Sequence, residues 1–227
     1  MDSALETLDH QTIAEDSLHI RDCGLAEYRK ILQLQLMLSA ERQRNRIPNT
    51  VLVVEHPAVI TLGARQSRNR LLVSRSDLAQ RNIDVVDIRR GGGTTAHNPG
   101  QLVIYPILHL QQLKLGIRQY VRKLEAIGAE LLEQLGVQST RKDAYPGLWV
   151  ENRKIASIGV RVSRLTTYHG MAINIANDLN IFDLIVPCGL DNVEMTSVLK
   201  ETGRHHSMIT VKKFLATLLQ THFSNSI

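Results

Sequence analysis

The 227-residue chain has only two cysteines, Cys23 and Cys188, and contains no Cys-X-X-Cys pair. Two cysteines cannot build a disulfide framework, and the missing pair argues against a zinc or dithiol redox site. A bridge between these two is possible on paper but would be unusual in a reducing compartment. No apolar run approaches the ~18 residues of a membrane-spanning helix, and the acidic N-terminal stretch does not resemble a secretory signal. We therefore expect a cytoplasmic protein that does not associate with membranes.

Positive charge and aromatic residues are also limited. The net charge is +5, the arginines are dispersed, and aromatic residues make up 4% of the chain. Nucleic-acid binding usually relies on a denser basic stripe with aromatic side chains for base stacking, so we expect no nucleic-acid partner. A modest positive charge suits an acidic protein partner, because it steers such encounters.

The spacing of apolar residues predicts the secondary structure. Helices are expected over 26–45, 76–82, 117–136 and 210–223, with Ser76 and Thr210 as N-caps and Gly136 at a C-terminus. Strands are expected over 51–56, 59–63, 83–88, 101–108 and 167–176, with a hairpin over 147–162 that turns near residues 151–153. Because the strands come in runs, we predict an α+β fold with a mixed or mostly antiparallel sheet and flanking helices.

A glycine-rich segment, RGGGTTAHNPGQ over residues 90–101, follows a predicted strand. Glycines let the backbone approach a ligand closely and turn its N–H groups inward. The spacing fits neither a phosphate loop nor a dinucleotide-binding fingerprint. The composition leaves two interpretations, a plain turn or a ligand-binding loop. Arg90 could contact substrate or form a surface ion pair, and His97 could bind a ligand or be a structural histidine.

Lys154 begins a predicted strand and is followed by small residues, Ala156, Ser157 and Gly159. A lysine entering an apolar strand can simply extend its ammonium to solvent. The small residues favour another interpretation, because they leave room beside the strand for a ligand. An apolar channel past Ala156 and Gly159 could hold an acyl chain.

Two further positions carry chemistry. His169 and Gly170 lie inside a predicted strand, which indicates either an ordinary β-bulge or the close approach of a ligand. Cys188 stands between Pro187 and Gly189. A buried free cysteine is usually an inert small hydrophobe, but the flanking residues favour a loop in which the thiol is accessible.

Together these segments resemble the lipoyl(octanoyl) transferase family from about Val51 to Ser197, and the combination is far more specific than any single piece. The matching residues are Arg90, Gly91, Gly92, Thr95, His97, Pro99, Gly100, Gln101, Gly147, Trp149, Lys154, Ala156, Gly159, His169, Gly170, Asn174, Pro187, Cys188 and Gly189. Two residues depart from the family pattern, Gly93 where many members have glutamine and Asn98 where glycine is usual. Both departures lie in the glycine-rich loop, so they affect the expected conformation of that loop and leave the expected chemistry unchanged.

The resemblance implies the catalytic-domain fold of biotin and lipoate protein ligases. It implies an acyltransferase whose Cys188 carries octanoyl as a thioester and whose Lys154 lowers the thiol pKa or acts as general base. Substrate binding is implied for Arg90, Gly91, Gly92, Gly93, Thr94, Thr95, Ala96, His97, Ser157, Ile158, Gly159, His169, Gly170, Met171 and Ala172. No cofactor, ATP or metal is expected, because a thioester donor is already activated.

The implied donor is octanoyl-acyl carrier protein, and the implied acceptors are lipoyl domains of 2-oxoacid dehydrogenase complexes or the glycine cleavage H protein. We expect one catalytic domain over residues 21–227, preceded by an N-terminal extension over 1–20 that could be flexible. Three alternatives remain open: an ATP-dependent lipoate or biotin ligase, octanoyl transfer between lipoyl proteins, and a non-enzymatic module on the same fold. A ligase would need ATP and would not need Cys188, whereas the non-enzymatic module would not need Lys154 either.

Overall fold

The protein was analysed as a computed structural model, which describes residues 18–143, 145–187 and 193–223. Its helices are α1 (Tyr28–Gln43), α2 (Arg75–Gln80), α3 (Ile117–Gln134), α4 (Val198–Thr202) and α5 (Met208–Phe223). Its strands are β1 (His19–Leu25), β2 (Thr50–Glu55), β3 (Val59–Leu62), β4 (Asp84–Asp87), β5 (Thr95–His97), β6 (Gln101–Ile107), β7 (Thr140–Lys142), β8 (Tyr145–Val150), β9 (Arg153–Ser163) and β10 (Thr166–Asn174). Every helix and strand expected from the sequence is present, and α4, β1, β5 and β7 are additional.

The strands form two sheets. The larger has the order β1-β2-β6-β10-β9-β8-β7, and the smaller has the order β4-β3-β5. In the larger sheet β1 and β2 are parallel and the other neighbours are antiparallel, which confirms the predicted mixed, mostly antiparallel sheet. The consecutive strands β2 and β3 belong to different sheets, because the chain changes direction at Pro57 between them.

Helices cover both faces of the larger sheet. Buried leucines of α3 and α5, among them Leu131 and Leu219, pack with one face in the main core. On the other face, Tyr28 and Ile31 of α1 pack with residues of β2, β3, β4, β6 and β10. A third core lies between the smaller sheet and a short 3₁₀ helix, Leu179–Leu184. The side of the larger sheet that carries α1 and the smaller sheet also carries the cavity described below.

The two predicted N-caps are wrong. The Ser74 hydroxyl, not that of Ser76, caps α2 by accepting the backbone N–H of Asp77 at 3.1 Å, and the Asp77 carboxylate accepts the Ser74 N–H at 3.3 Å. At α5 the Ser207 hydroxyl accepts the Thr210 N–H at 3.2 Å. An N-cap accepts from a residue two or three positions later, so Ser76 lies two residues, and Thr210 three residues, too far along the chain.

Strand β1 begins at His19, two residues before the expected start of the catalytic domain at residue 21, and pairs with β2. The division into an extension and a domain stays a prediction, since residues 1–17 lie outside the described part of the chain. Within the described part, no helix combines the length and the apolar character that crossing a membrane would require.

Candidate active site

A narrow cavity of about 430 Å³, including the part open to solvent, lies between the glycine-rich loop, α1 and strands β6, β9 and β10. Most of the substrate-binding residues predicted from the sequence line it: Arg90, Gly92, Thr95, His97, Ser157, Ile158, Gly159, His169, Gly170, Met171 and Ala172.

Small residues on two neighbouring strands line this cavity. Ser157 pairs with Ala172, and Gly159 pairs with Gly170, across β9 and β10. A Cβ atom on Gly170 would lie 2.1 Å from the backbone oxygen of Ile104, so only glycine fits there. Ala156, expected beside the channel, instead lies in the main core and is fully buried. The small-residue lining therefore comes from Ser157, Gly159, Gly170 and Ala172.

Four predicted residues build the loop without lining the cavity. The Gly91 N–H donates to the Val160 oxygen of β9 at 3.0 Å, so it is not available to stabilise a substrate oxyanion. The Thr94 hydroxyl accepts the Arg70 N–H at 2.9 Å. Gly93 and Ala96 are buried, Ala96 in the third core. These residues fix the loop against its neighbours, and their substrate-binding roles stay predictions.

The side chain of Arg90 crosses the cavity wall beneath the loop. One terminal nitrogen donates to the hydroxyl and backbone oxygens of Thr61, at 2.8 and 3.1 Å, and the other donates to the Gly91 oxygen at 3.1 Å. Arg90 is only 6% exposed, so its guanidinium lies within the cavity wall and not on the surface. A Cβ on Gly159 would lie 2.9 Å from Arg90 Cδ, which means that the arginine stem occupies the space left by this glycine.

Asn98 anchors the end of the loop. Its side-chain nitrogen donates to the backbone oxygen of Asp178 at 2.7 Å, and its side-chain oxygen accepts from the side-chain nitrogen of Asn177 at 3.1 Å. Both partners follow strand β10. This departure from the family pattern therefore ties the loop to the neighbouring segment through its side chain, which a glycine could not do.

His97 lines the cavity and is held by a hydrogen bond through one ring nitrogen. Its Nδ1 lies 2.7 Å from the side-chain oxygen of Gln101, whose amide nitrogen donates to the Asn174 oxygen at 2.8 Å. Because the glutamine oxygen can only accept, Nδ1 carries the proton and Nε2 is an acceptor. His97 is therefore both a hydrogen-bonded structural histidine and a lining residue.

Two tyrosines that the sequence analysis missed, Tyr28 and Tyr105, also line the cavity. His56 Nδ1 lies 2.7 Å from the Ala26 oxygen and must donate to it, so Nε2 accepts from the Tyr105 hydroxyl at 2.9 Å. The Tyr28 and His97 rings stack with centroids 5.7 Å apart. Tyr28 precedes Val51, where the family resemblance begins, and the scarcity of aromatic residues was the available signal that each of them could have a functional role.

His169 has a backbone φ of 56°, which is uncommon for a residue other than glycine. The register between β9 and β10 continues through it without a shift, so the bulge considered from the sequence is absent. Its backbone N–H donates to the Gln35 side chain of α1 at 2.8 Å, and its Nδ1 is buried without a hydrogen-bond partner among the described residues. This polar ring at the cavity favours close approach of a ligand.

The histidines around the cavity are neutral. Burial lowers the pKa of His97 and of His169 to about 3 and that of His56 to about 4, because each charged form would lose hydration. Nearby positive charge from Arg90 lowers the pKa of His97 and His169 further. Burial also raises the pKa of Tyr28 to about 12. The cavity therefore offers uncharged hydrogen-bonding groups at neutral pH.

A β-bulge decides where Lys154 lies. In the pairing of β8 with β9, Leu148 lies opposite Ala156, whereas Trp149 lies opposite Lys154. One step along β8 thus corresponds to two steps along β9, and Ile155 is the extra residue. Without this bulge Lys154 would share a face of the sheet with Ala156, towards the main core.

The bulge instead places Lys154 on the face that carries Ser157. Across the two strands, Ser157 pairs with Gly147 and Lys154 pairs with Trp149. Gly147 and Trp149 are two residues apart on β8 and therefore share a face, so their partners share it too. The lysine is only 2% exposed, so it does not extend its ammonium to solvent. A Cβ on Gly147 would lie 2.9 Å from Lys154 Cε, so this glycine leaves room for the lysine stem.

The chain on both sides of Cys188 is anchored beside the site. Before it, the Val186 N–H donates to the Arg70 oxygen at 3.1 Å. After it, the Lys154 N–H donates to the Glu194 oxygen at 2.8 Å, and Lys154 accepts from the Thr196 N–H at 3.0 Å. Cys188 itself lies outside the described residues, and its role as nucleophile stays a prediction.

The comparisons place the chain among known proteins. Residues 27–222 match the family model described as the lipoyl protein ligase A/B catalytic domain. Curated relatives carry the name octanoyltransferase. The octanoyltransferase of Syntrophobacter fumaroxidans is 42% identical over 200 residues, which cover 88% of this chain and 88% of the relative.

Solved structures share the fold. The lipoate protein ligase of Thermoplasma acidophilum aligns with a TM-score of 0.66 at 14% identity, over 91% of this chain and 84% of that chain. The biotin protein ligase of Aquifex aeolicus aligns with a TM-score of 0.51 at 13% identity, over 92% and 69%. At these identities the likeness concerns the fold alone, and it confirms the fold class implied by the sequence.

Proposed function

The chain belongs to the lipoyl protein ligase A/B catalytic domain family and is an octanoyltransferase, and we propose that it works through a thioester on Cys188. The donor is octanoyl-acyl carrier protein, and the acceptor is a lysine amine of a lipoyl domain. The observation that supports this most is the position of Lys154. It is buried on the cavity side of the sheet, and its backbone pairs with the residues that follow Cys188.

In the first half-reaction the thiolate of Cys188 attacks the carbonyl carbon of the donor thioester. A new carbon–sulfur bond forms, the bond to the carrier sulfur breaks, and the carrier leaves as a thiol with a proton donated by the Lys154 ammonium, which becomes the neutral amine. One thioester replaces another, so the step needs no ATP. An ammonium ~4 Å from the thiolate would stabilise it by roughly 4 kcal/mol at an effective dielectric constant of ~20, before desolvation. Lys154 is the group proposed to supply this charge.

In the second half-reaction the lysine amine of the lipoyl domain attacks the thioester carbon on Cys188. An amide bond forms, the carbon–sulfur bond breaks, and Cys188 leaves as a thiolate. The attacking amine must lose a proton, and Lys154 in its neutral form accepts it as general base. Lys154 and Cys188 titrate as a coupled pair across the two steps.

The cavity holds the acyl chain during both steps. Its lining includes Ile158, Met171 and Ala172, which provide apolar surface on which a chain of methylene groups can pack. Each buried CH₂ contributes about 0.8 kcal/mol, so eight carbons can supply much of the affinity for octanoyl over shorter chains. The remaining predicted lining residues keep their proposed substrate-binding roles.

The proposed acceptors are lipoyl domains of 2-oxoacid dehydrogenase complexes or the glycine cleavage H protein, and the proposed location is the cytoplasm. Neither the donor nor the acceptor requires nucleic acid or a membrane. An ATP-dependent ligase on this fold is the alternative, and transfer in the absence of ATP distinguishes the two.

The covalent intermediate provides the decisive experiment. Incubation with octanoyl-acyl carrier protein should raise the intact mass by one octanoyl group, and peptide mapping should place that group on Cys188. Cys188→Ser should lose both the adduct and transfer, whereas Cys23→Ser, which changes the other cysteine, should keep both. An adduct on Cys23, or no adduct while lipoyl domains are being octanoylated, would contradict the assignment.

The docking of the carrier gives a second prediction. The loop from Arg65 to Arg70 rests on the glycine-rich loop, with the Arg65 N–H 3.3 Å from the Gly92 oxygen, and the side chains of Arg65 and Arg70 are exposed beside the cavity. An acidic carrier can dock on these exposed arginines, which form a basic rim. Arg68 lies between them in the sequence. Arg65→Glu and Arg70→Glu should each raise the KM for carrier up to about fivefold, since a rim charge contributes up to about 1 kcal/mol.

The effect should shrink as ionic strength rises, because salt screens exposed charges. Arg118→Glu on α3, on the opposite face of the larger sheet, is the matched control and should leave KM unchanged. A KM that does not respond to salt, or an equal effect of all three variants, would exclude this docking surface.

A further inference from the structure

The ammonium of Lys154 lies against an aromatic ring. Its Nζ is 5.1 Å from the centroid of the Trp149 indole, directly across the strand pair. Both residues are about 2% exposed, so water does not separate the charge from the ring. Cations within about 6 Å of an indole centroid are attracted by the ring's quadrupole, and the attraction is strongest where water is excluded.

Burial and the indole ring act on the charge of this lysine in opposite directions. Burial favours the neutral amine, because an ammonium loses hydration. The negative face of the indole favours the ammonium. The chemistry proposed above needs the ammonium when the thiol ionises and the neutral amine when the acceptor attacks, so the balance between the two forms matters for the rate.

We propose that Trp149 is a positioning residue that holds Lys154 over its ring and keeps enough of it charged to activate Cys188. The inference rests on the proposed pairing of Lys154 with Cys188 and adds a residue that sets the charge of that lysine. It acts through Lys154 and does not itself contact the reacting atoms.

The surroundings of the indole fix its orientation. Trp149 Nε1 donates to the backbone oxygen of Tyr145 at 3.4 Å, and the centroids of the Tyr145 and Trp149 rings lie 6.5 Å apart. The absence of a side chain at Gly147 lets the lysine stem run beside the strand so that its end reaches the ring. The geometry thus depends on both the bulge and the glycine.

A second lysine contacts the same ring. Lys142 Nζ lies 4.4 Å from the Trp149 centroid and donates to the Asn152 side chain at 3.0 Å. Lys142 is half-buried at the edge strand β7, whereas Lys154 is enclosed. Lys142 provides a matched control, because Lys142→Met removes a cation from the ring and leaves the proposed pair of Lys154 and Cys188 unchanged.

Trp149 is the single tryptophan of the chain, so fluorinated tryptophan supplied during expression changes the ring at this position alone. Fluorine weakens the negative face of the indole with little change in size. The measurement is the rate of Cys188 alkylation against pH, followed by peptide mapping in a Cys23→Ser background, together with the rate of octanoyl transfer. Thermal unfolding confirms that each protein is folded.

The pH midpoint of alkylation should move upward in steps as fluorines are added, by about half a unit to one unit for the most fluorinated ring. The transfer rate at fixed pH should fall in the same order. Trp149→Phe should give a smaller shift than Trp149→Leu, because phenylalanine keeps a ring. A role in packing alone would not follow the number of fluorines.

The possible outcomes are distinguishable. If Lys154→Met moves the midpoint but fluorination does not, the role of Trp149 is refuted and the proposed pair survives. If neither moves it, the pairing of Lys154 with Cys188 fails as well. If Lys142→Met shifts the midpoint as much as fluorination does, the ring acts through the wrong lysine and the proposal is overturned.

Discussion

Lys154→Met is expected to slow octanoyl transfer by about 10²–10⁴-fold, the range typical for the loss of a general acid or base. The methionine side chain has a similar volume and no charge, so the buried site stays filled and the fold should persist. The pH midpoint of Cys188 alkylation should rise, because the thiolate loses its neighbouring cation. Transfer kinetics and alkylation against pH, measured on the same preparation, check both effects.

Lys154→Arg separates charge from proton transfer. A guanidinium keeps the positive charge but cannot accept a proton near neutral pH. It is also planar and wider than an ammonium, and the close approach of Gly147 and Trp149 leaves little room for it. An arginine variant that keeps the low alkylation midpoint but loses transfer would assign proton transfer as the main role of Lys154.

Lys142→Met is the control for Lys154, since this lysine approaches the same indole from a half-buried position. It should retain nearly all of the transfer activity. If Lys154→Met instead keeps the wild-type transfer rate and the wild-type alkylation profile, Lys154 has only a structural role.

Acidification is expected to unfold the protein steeply between about pH 6.5 and 4. In the unfolded chain, histidines take up a proton near pH 6.5, whereas the folded state holds His97 and His169 neutral to about pH 3 and His56 to about pH 4. The unfolded state therefore binds more protons in this window, and the free energy of unfolding falls as the pH falls. Above pH 6.5 the three groups contribute their full stabilisation.

Three such histidines give a slope of about 4 kcal/mol per pH unit, since each contributes about 1.4 kcal/mol per unit. Typical domains have only about 5–15 kcal/mol of stability, so a few pH units suffice for unfolding. Urea denaturation at a series of pH values measures the slope directly.

His56→Gln tests the origin of this slope. The variant should lower the slope by about 1.4 kcal/mol per pH unit, whatever its stability at neutral pH, because one buried histidine no longer titrates. His205→Gln, which changes an exposed histidine after α4, is the control and should leave the slope unchanged. A slope that His56→Gln does not alter would show that His56 is protonated in the folded protein.

The local parts of the fold followed from the sequence. Apolar spacing located the long helices α1, α3 and α5, and runs of β-branched residues located β2, β3, β4, β6 and β10. The helix starts were less well predicted, since Ser74 and Ser207 cap helices assigned to Ser76 and Thr210. Neighbouring hydroxyl residues compete for the cap, and the backbone geometry that selects one of them is not encoded in residue type alone.

The site was predicted in part. The glycine-rich loop, the small residues of β9 and the pair His169–Gly170 all reach one cavity, because each stands out locally by composition. Tyr28 and Tyr105 were missed, since each looks like an ordinary core aromatic in its own segment. Ala156 was assigned to the channel, although the alternation of side chains along β9 places it on the face opposite to Ser157, on the core side with Leu148.

The sequence by itself determined the composition class, most of the helices and strands, the α+β character and the chemical groups available for acyl transfer. These depend on short-range spacing and on residue type, which the linear order contains. Only the tertiary structure decided which face of the sheet Lys154 occupies, that Tyr28 of α1 joins His97 of β5 in one cavity, and that Trp149 lies over the lysine. Those arrangements come from strand register and from contacts between residues distant in the chain, and a shift of one residue in register reverses every side chain beyond it.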